Sequence, residues 1–108
     1  MGYPNNSKFF NLKKSDWDKV EAISQGVQSV YSLTNELLEL GIDEYIKKPF
    51  EIKNKKNSGM KVYKVLSVKE DIYNKIKPYK RTHGYFISEF CSYLIDKGIE
   101  LYNKKEKA

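Results

Sequence analysis

The sequence predicts a mainly α-helical domain built on a two-stranded antiparallel β-ribbon, with two strand-helix-helix repeats in one chain sharing one core. Three observations carry that expectation. Lys8-Phe9-Phe10-Asn11-Leu12-Lys13 alternates in character just before a helix start, so Phe10 and Leu12 point one way while Phe9, Asn11 and Lys13 point the other. No partner strand follows within the next forty or so residues, and a lone strand cannot satisfy its own backbone groups. Tyr63-Lys64-Val65-Leu66-Ser67-Val68-Lys69 supplies the missing partner, with Leu66 and Val68 alternating against Val65, Ser67 and Lys69. The same parts follow each strand: a short helix, a turn with a glycine, and a longer apolar helix carrying Leu40-Gly41-Ile42 or Lys97-Gly98-Ile99. The period is 56 to 58 residues.

At 108 residues the chain is expected to be one domain, with repeat one over 8–48, a basic linker over 49–60 and repeat two over 61–103. A repeat of roughly 45 residues is too small to bury an adequate core alone, so the two should share one.

Residues 1–7 read as a mobile arm, since Gly2, Pro4, Asn5 and Asn6 favour turns and extended backbone. Ser15-Asp16-Trp17-Asp18 then reads as a helix start, with Ser15 as cap and Asp18 reaching back. Trp17, Val20 and Ile23 form the buried stripe of that helix, which runs to about Ser24. Gly26 breaks it, and Ser29 caps a second helix with Val30, Leu33, Leu37 and Leu40 on one face. Gly41 within this helix implies either a closely approaching backbone or a loosened helix. Pro49 ends it.

From Lys47 to Lys64 there are seven lysines against one acid. That stretch reads first as a solvated connection, with a dedicated phosphate-binding segment as the alternative. The second repeat follows as a strand over 61–68 and a helix from about Glu70 with Ile72, Tyr73, Ile76 and Tyr79 on its apolar side. A turn at Thr82-His83-Gly84 leads to a helix from about Ile87 to Asn103 that buries Ile87, Phe90, Cys91, Leu94 and Ile95. Pro78 should kink the shorter helix or end it early, because it removes a donor and collides with the Asn74 carbonyl.

Twenty Lys plus Arg against fourteen Asp plus Glu leave a net charge of +6, which suits a polyanionic partner without identifying one. Cys91 and His83 are each alone in their residue type. A disulfide, a zinc site and a nucleophilic triad are therefore not expected, and Cys91 reads as a small core residue. No carboxylate pair or glycine-rich phosphate loop is present either, so an enzyme is not expected and no catalytic residue, metal or cofactor is assigned. No apolar run approaches eighteen residues and Met1-Gly2-Tyr3-Pro4-Asn5-Asn6 is polar. The expectation is a cytoplasmic protein with neither membrane span nor signal peptide.

The outer face of the ribbon carries Phe9, Asn11 and Lys13 from one strand and Val65, Ser67 and Lys69 from the other. Either solvent or a ligand must meet it. A two-stranded ribbon fits the major groove of B-form DNA, where Asn bonds adenine on two positions, Lys reaches guanine acceptors, Ser is permissive, and Val or Phe touches a thymine methyl. The start of each second helix offers unpaired amides and a positive dipole end, so Ser29, Val30, Ile87 and Ser88 are the expected phosphate contacts.

A strand followed by two helices, whose strand only a second copy completes, resembles the ribbon-helix-helix DNA-binding family of Arc and MetJ type. Phe10-Asn11-Leu12-Lys13 is similar to the family's strand, and Gly84-Tyr85-Phe86-Ile87-Ser88-Glu89 is similar to its glycine turn and entry to the second helix. Phe86 stands where the family usually has a Ser or Thr cap. Both repeats in one chain resemble the tandem, pseudo-dimeric members. The resemblance implies sequence-specific binding of double-stranded DNA, as a transcriptional regulator or an accessory factor in plasmid transfer or partition, with further copies of the chain on adjacent subsites. The alternative is an antitoxin-like module that binds a protein through a tail. Here the predicted last helix leaves only a short tail, which favours DNA.

Overall fold

The structure, a computed structural model, describes residues 8–26, 28–52, 63–84 and 86–107. The expected arm over 1–7 and the linker residues 53–60 lie outside the described residues. In chain order the elements are β1 (Lys8–Lys13), α1 (Lys14–Ser24), α2 (Val30–Lys47), β2 (Tyr63–Val68), α3 (Glu70–His83) and α4 (Ile87–Lys107). The strands pair antiparallel, and Phe10 lies directly opposite Leu66.

One face of the ribbon is buried as the alternation requires: Phe10, Leu12, Leu66 and Val68 join a single apolar cluster with Leu33, Leu37, Ile42, Ile72, Ile76, Phe90, Leu94 and Ile95. Burying a side chain of this size contributes about 1.5 to 3 kcal/mol. Cys91 is fully buried in the same cluster, and burial pushes its thiol far above the ordinary range. Such a thiol is a packing group and not a nucleophile.

The most extensive helix contact is between α2 and α4, and glycines set its distance. A methyl group on Gly41 would run into the backbone of Leu94, and one on Gly98 would run into the backbone of Leu37. Of the two readings open for Gly41, close backbone approach is the correct one. Asn35, buried on α2, fastens the ribbon to this layer. Its Nδ2 donates to the carbonyls of Tyr31 at 2.9 Å and Ser67 at 3.2 Å, and its Oδ1 accepts the Lys69 amide at 2.9 Å. The end of β2 is thereby satisfied without a third strand.

Three local expectations are corrected, and of the two alternatives for Pro78 the early end is removed. Ser15 is not a helix cap: the chain passes from β1 into α1 with no residue between, so Lys13 is the cap residue and makes no side-chain cap bond. Asp18 does not reach back, because Lys14 Nζ holds its carboxylate at 2.9 Å. Pro78 does not end α3, which continues to His83. Pro78 and Asn74 are both exposed, so the missing bond falls on the solvent side while Ile72 and Ile76 keep the helix docked. The segment after α2 is not simply a solvated connection at its start, since Ile52 is buried and Phe50 meets Tyr45 edge-on at 5.2 Å.

Asp16 is a buried acid that periodicity did not mark. Ser92 Oγ donates to its Oδ1 at 3.3 Å and Lys19 Nζ lies 3.9 Å away, while Oδ2 has no hydrogen-bond partner among the described residues. Burial raises its pKa above 3.8, against the opposing effects of Ser92 and Lys19. An acid that holds its proton more tightly when folded lowers stability as pH rises, from the unfolded pKa up to the folded one. Asp16→Asn should therefore melt a few degrees higher than the native chain at pH 7, on the order of 1 kcal/mol. Thermal melts over a pH series check the sign, because the gap should widen above pH 3.8 and then level off. A lower melting temperature for the variant at pH 7 would show that the carboxylate is needed as an ion.

Candidate nucleic-acid interface

Residues facing each other across an antiparallel pair share a side of the sheet. The pairs on the outer side are Phe9 with Ser67, Asn11 with Val65, and Lys13 with Tyr63. Phe9 is 43% exposed, Val65 63% and Tyr63 44%, and Asn11 is also exposed. Phe9, Val65 and Tyr63 thus stand exposed on the outer face of a strand pair whose inner face is buried.

The expected reading residues are not all equally placed. Phe9, Asn11 and Val65 lie on the open face, and Ser67 is half-buried there with its carbonyl held by Asn35. Lys13 is drawn off the face, since its Nζ forms an ion pair with Glu89 Oε1 at 2.8 Å and only 15% of its side chain is exposed. Lys69 is exposed but lies one residue past the end of β2. Tyr63 belongs to the face and was not among the expected readers. The alternation that selected Val65 and Ser67 reaches it two residues earlier.

The expected phosphate contacts lie at the starts of α2 and α4. Ser29 is exposed and caps α2, its Oγ accepting the Ser32 amide at 3.0 Å. Val30 and Ile87 pack against the core, so each could meet an anion only through its backbone amide. Ser88 is half-buried.

A cleft of about 470 Å³ opens where the outer face meets α3 and α4, and it brings together Phe9, Asn11, Val65 and Ile87 with Tyr73 and Lys77. Tyr73 stacks on Phe10 with centroids 4.9 Å apart, while Lys8 Nζ and Lys77 Nζ lie 5.7 Å and 5.3 Å from its ring centroid. Neither Lys8 nor Lys77 was singled out by the sequence, because β1 and α3 must pack together before both approach the Tyr73 ring. Ser29 and Val30 line no part of this cleft.

Among the described residues, no cluster of His, Cys, Asp or Glu side chains could hold a metal ion, and no helix is long and apolar enough to cross a membrane. The chain matches no family model, no curated protein and no solved structure.

Proposed function

We propose that the chain is a tandem ribbon-helix-helix pseudo-dimer that binds double-stranded DNA sequence-specifically, laying its ribbon in the major groove. Its work would be that of a transcriptional regulator or of a cytoplasmic accessory factor in plasmid transfer or partition. The observation that carries this reading is the exposed outer ribbon face, which holds Asn11 beside Val65. Asn bonds adenine bidentately and Val touches a thymine methyl, so the pair is chemically suited to an A·T step.

The tandem arrangement is supported by correspondences across the chain. A shift of 56 residues carries Phe10 onto Leu66, its own partner in the ribbon, which puts a local two-fold axis between them. The same shift carries Lys8 onto Lys64 and Tyr73 back onto Trp17, and each lysine lies over the corresponding ring. Gly41 and Gly98, 57 apart, each press on a leucine backbone, and those leucines are also 57 apart.

The two strands carry different readers, so the subsite should be non-palindromic. Selection from a random duplex pool should recover such a motif with the native protein. Asn11→Ala should lose preference at one base position by about 1 to 3 kcal/mol, as a lost bidentate contact would. Recovery of no motif, or of one identical motif from both proteins, would remove the ribbon face as reader.

A further inference from the structure

The two ends of the ribbon are built alike and charged differently. Lys8 Nζ lies 5.7 Å from the Tyr73 ring centroid at one end, and Lys64 Nζ lies 5.1 Å from the Trp17 ring centroid at the other. One helical turn beyond each ring the likeness stops, for α3 has Lys77 where α1 has Glu21. Lys77 Nζ lies 5.3 Å from the same Tyr73 ring, so two ammonium groups flank one aromatic side chain.

An aromatic ring attracts each cation, yet the cations repel each other. Neither has an ion-pair partner among the described residues, whereas Lys75, two positions before Lys77, is held between Glu39 and Asp43. An anion entering the cleft would meet Lys77 in its lining, with Lys8 beside the same ring. The start of α4 is on the same cleft through Ile87. At α2 the Ser29 hydroxyl accepts a first-turn amide, but the residue in that place before α4 is Phe86, whose ring can accept none. The first turn of α4 instead holds the buried carboxylate of Glu89, paired with Lys13 Nζ at 2.8 Å, so the cations of the cleft come from lysine side chains and not from the helix end.

We infer that the cleft between the ribbon, α3 and the start of α4 binds one backbone phosphodiester of duplex DNA, with Lys77 in its lining and Lys8 beside it, near the same Tyr73 ring, as its cations. At the corresponding place on α1, Glu21 puts a carboxylate where Lys77 puts a cation. The chain thus lies on its DNA in one direction, set by an anchor at one end of the ribbon as well as by the bases. This rests on the DNA-binding reading above.

The test is a series of binding titrations at increasing NaCl, with a duplex of the selected sequence and a scrambled one, for the native chain, Lys77→Gln, Lys8→Gln and Glu21→Gln. All three residues lie away from the core, and melting curves confirm that the variants are folded. Loss of one phosphate contact lowers the slope of log affinity against log salt by about 0.9, a roughly threefold change over a fourfold range of salt. Lys77→Gln should show that change on both duplexes, and Glu21→Gln should show none. Ethylation interference should mark a flanking phosphate on one side that matters to the native chain and not to Lys77→Gln. An unchanged slope in both lysine variants overturns the inference while leaving DNA binding intact. An equal and opposite change in Glu21→Gln reduces it to diffuse electrostatics. A native chain that binds neither duplex sinks both readings.

Discussion

Replacing Gly41 by alanine should cost about 3 kcal/mol or more, the upper end of what overpacking a core costs. The added methyl would meet the Leu94 backbone, with its carbonyl carbon and Cα both 2.8 Å away. A side-chain end could swing aside, but a helix backbone cannot, so α4 must move as a body. Gly98→Ala should behave alike, because its obstacle is the Leu37 backbone on the opposite helix. One separation of α2 from α4 makes room for both methyls, so the double variant should lose clearly less than the sum of the single losses. Urea unfolding of the three variants measures this. Gly26→Ala is the control: its φ of +76° disfavours alanine, but open space surrounds it, so its cost should stay near 1 to 2 kcal/mol. A Gly41→Ala protein with the native urea midpoint would show that the helices do not cross as closely as described.

Leu12→Ala should be the most damaging change in the ribbon, at about 2 to 5 kcal/mol. Leu12 is fully buried and its strand opens directly into α1, so few neighbours are free to collapse into the cavity. Asn11→Ala, one residue earlier, should stay within about 0.5 kcal/mol, as exposed sites do. The pair of melts separates the two faces of the strand without any DNA present. A loss at Asn11 equal to that at Leu12 would mean that the faces have been assigned the wrong way round.

The strands and the second helix of each half were legible because their patterns are local and strong. Phe10 and Leu12, or Leu66 and Val68, alternate over a stretch too short to be anything but a strand, and Ser29 is a hydroxyl cap at the place where one is needed. The features that escaped depend on long-range packing. Asp16 lies four residues before Val20 on the buried side of α1, but what lets an acid sit there is Ser92 of α4, 76 residues away in the chain. Lys13 looked like a free cation on a strand, but Glu89 takes its charge. Tyr63 is a different kind of miss, since the alternation already contained it. The cleft at Lys77 needed β1, β2, α3 and α4 in place together, so no reading of a single segment could assemble it.

The ribbon joins Phe10 to Leu66, 56 positions later in the chain. During synthesis at about 5 to 20 residues per second, β1 therefore waits roughly 3 to 11 s for its partner, far longer than the microseconds that helix or hairpin formation takes. Throughout that interval both edges of β1 are unpaired, in a segment whose interior is Phe9-Phe10-Asn11-Leu12. Lys8 and Lys13 stand at its two ends, where charges discourage strand-to-strand pairing between nascent copies. A chain released before Tyr63 has been added carries one strand and no ribbon, so the surface assigned to DNA does not exist in such an early truncation product.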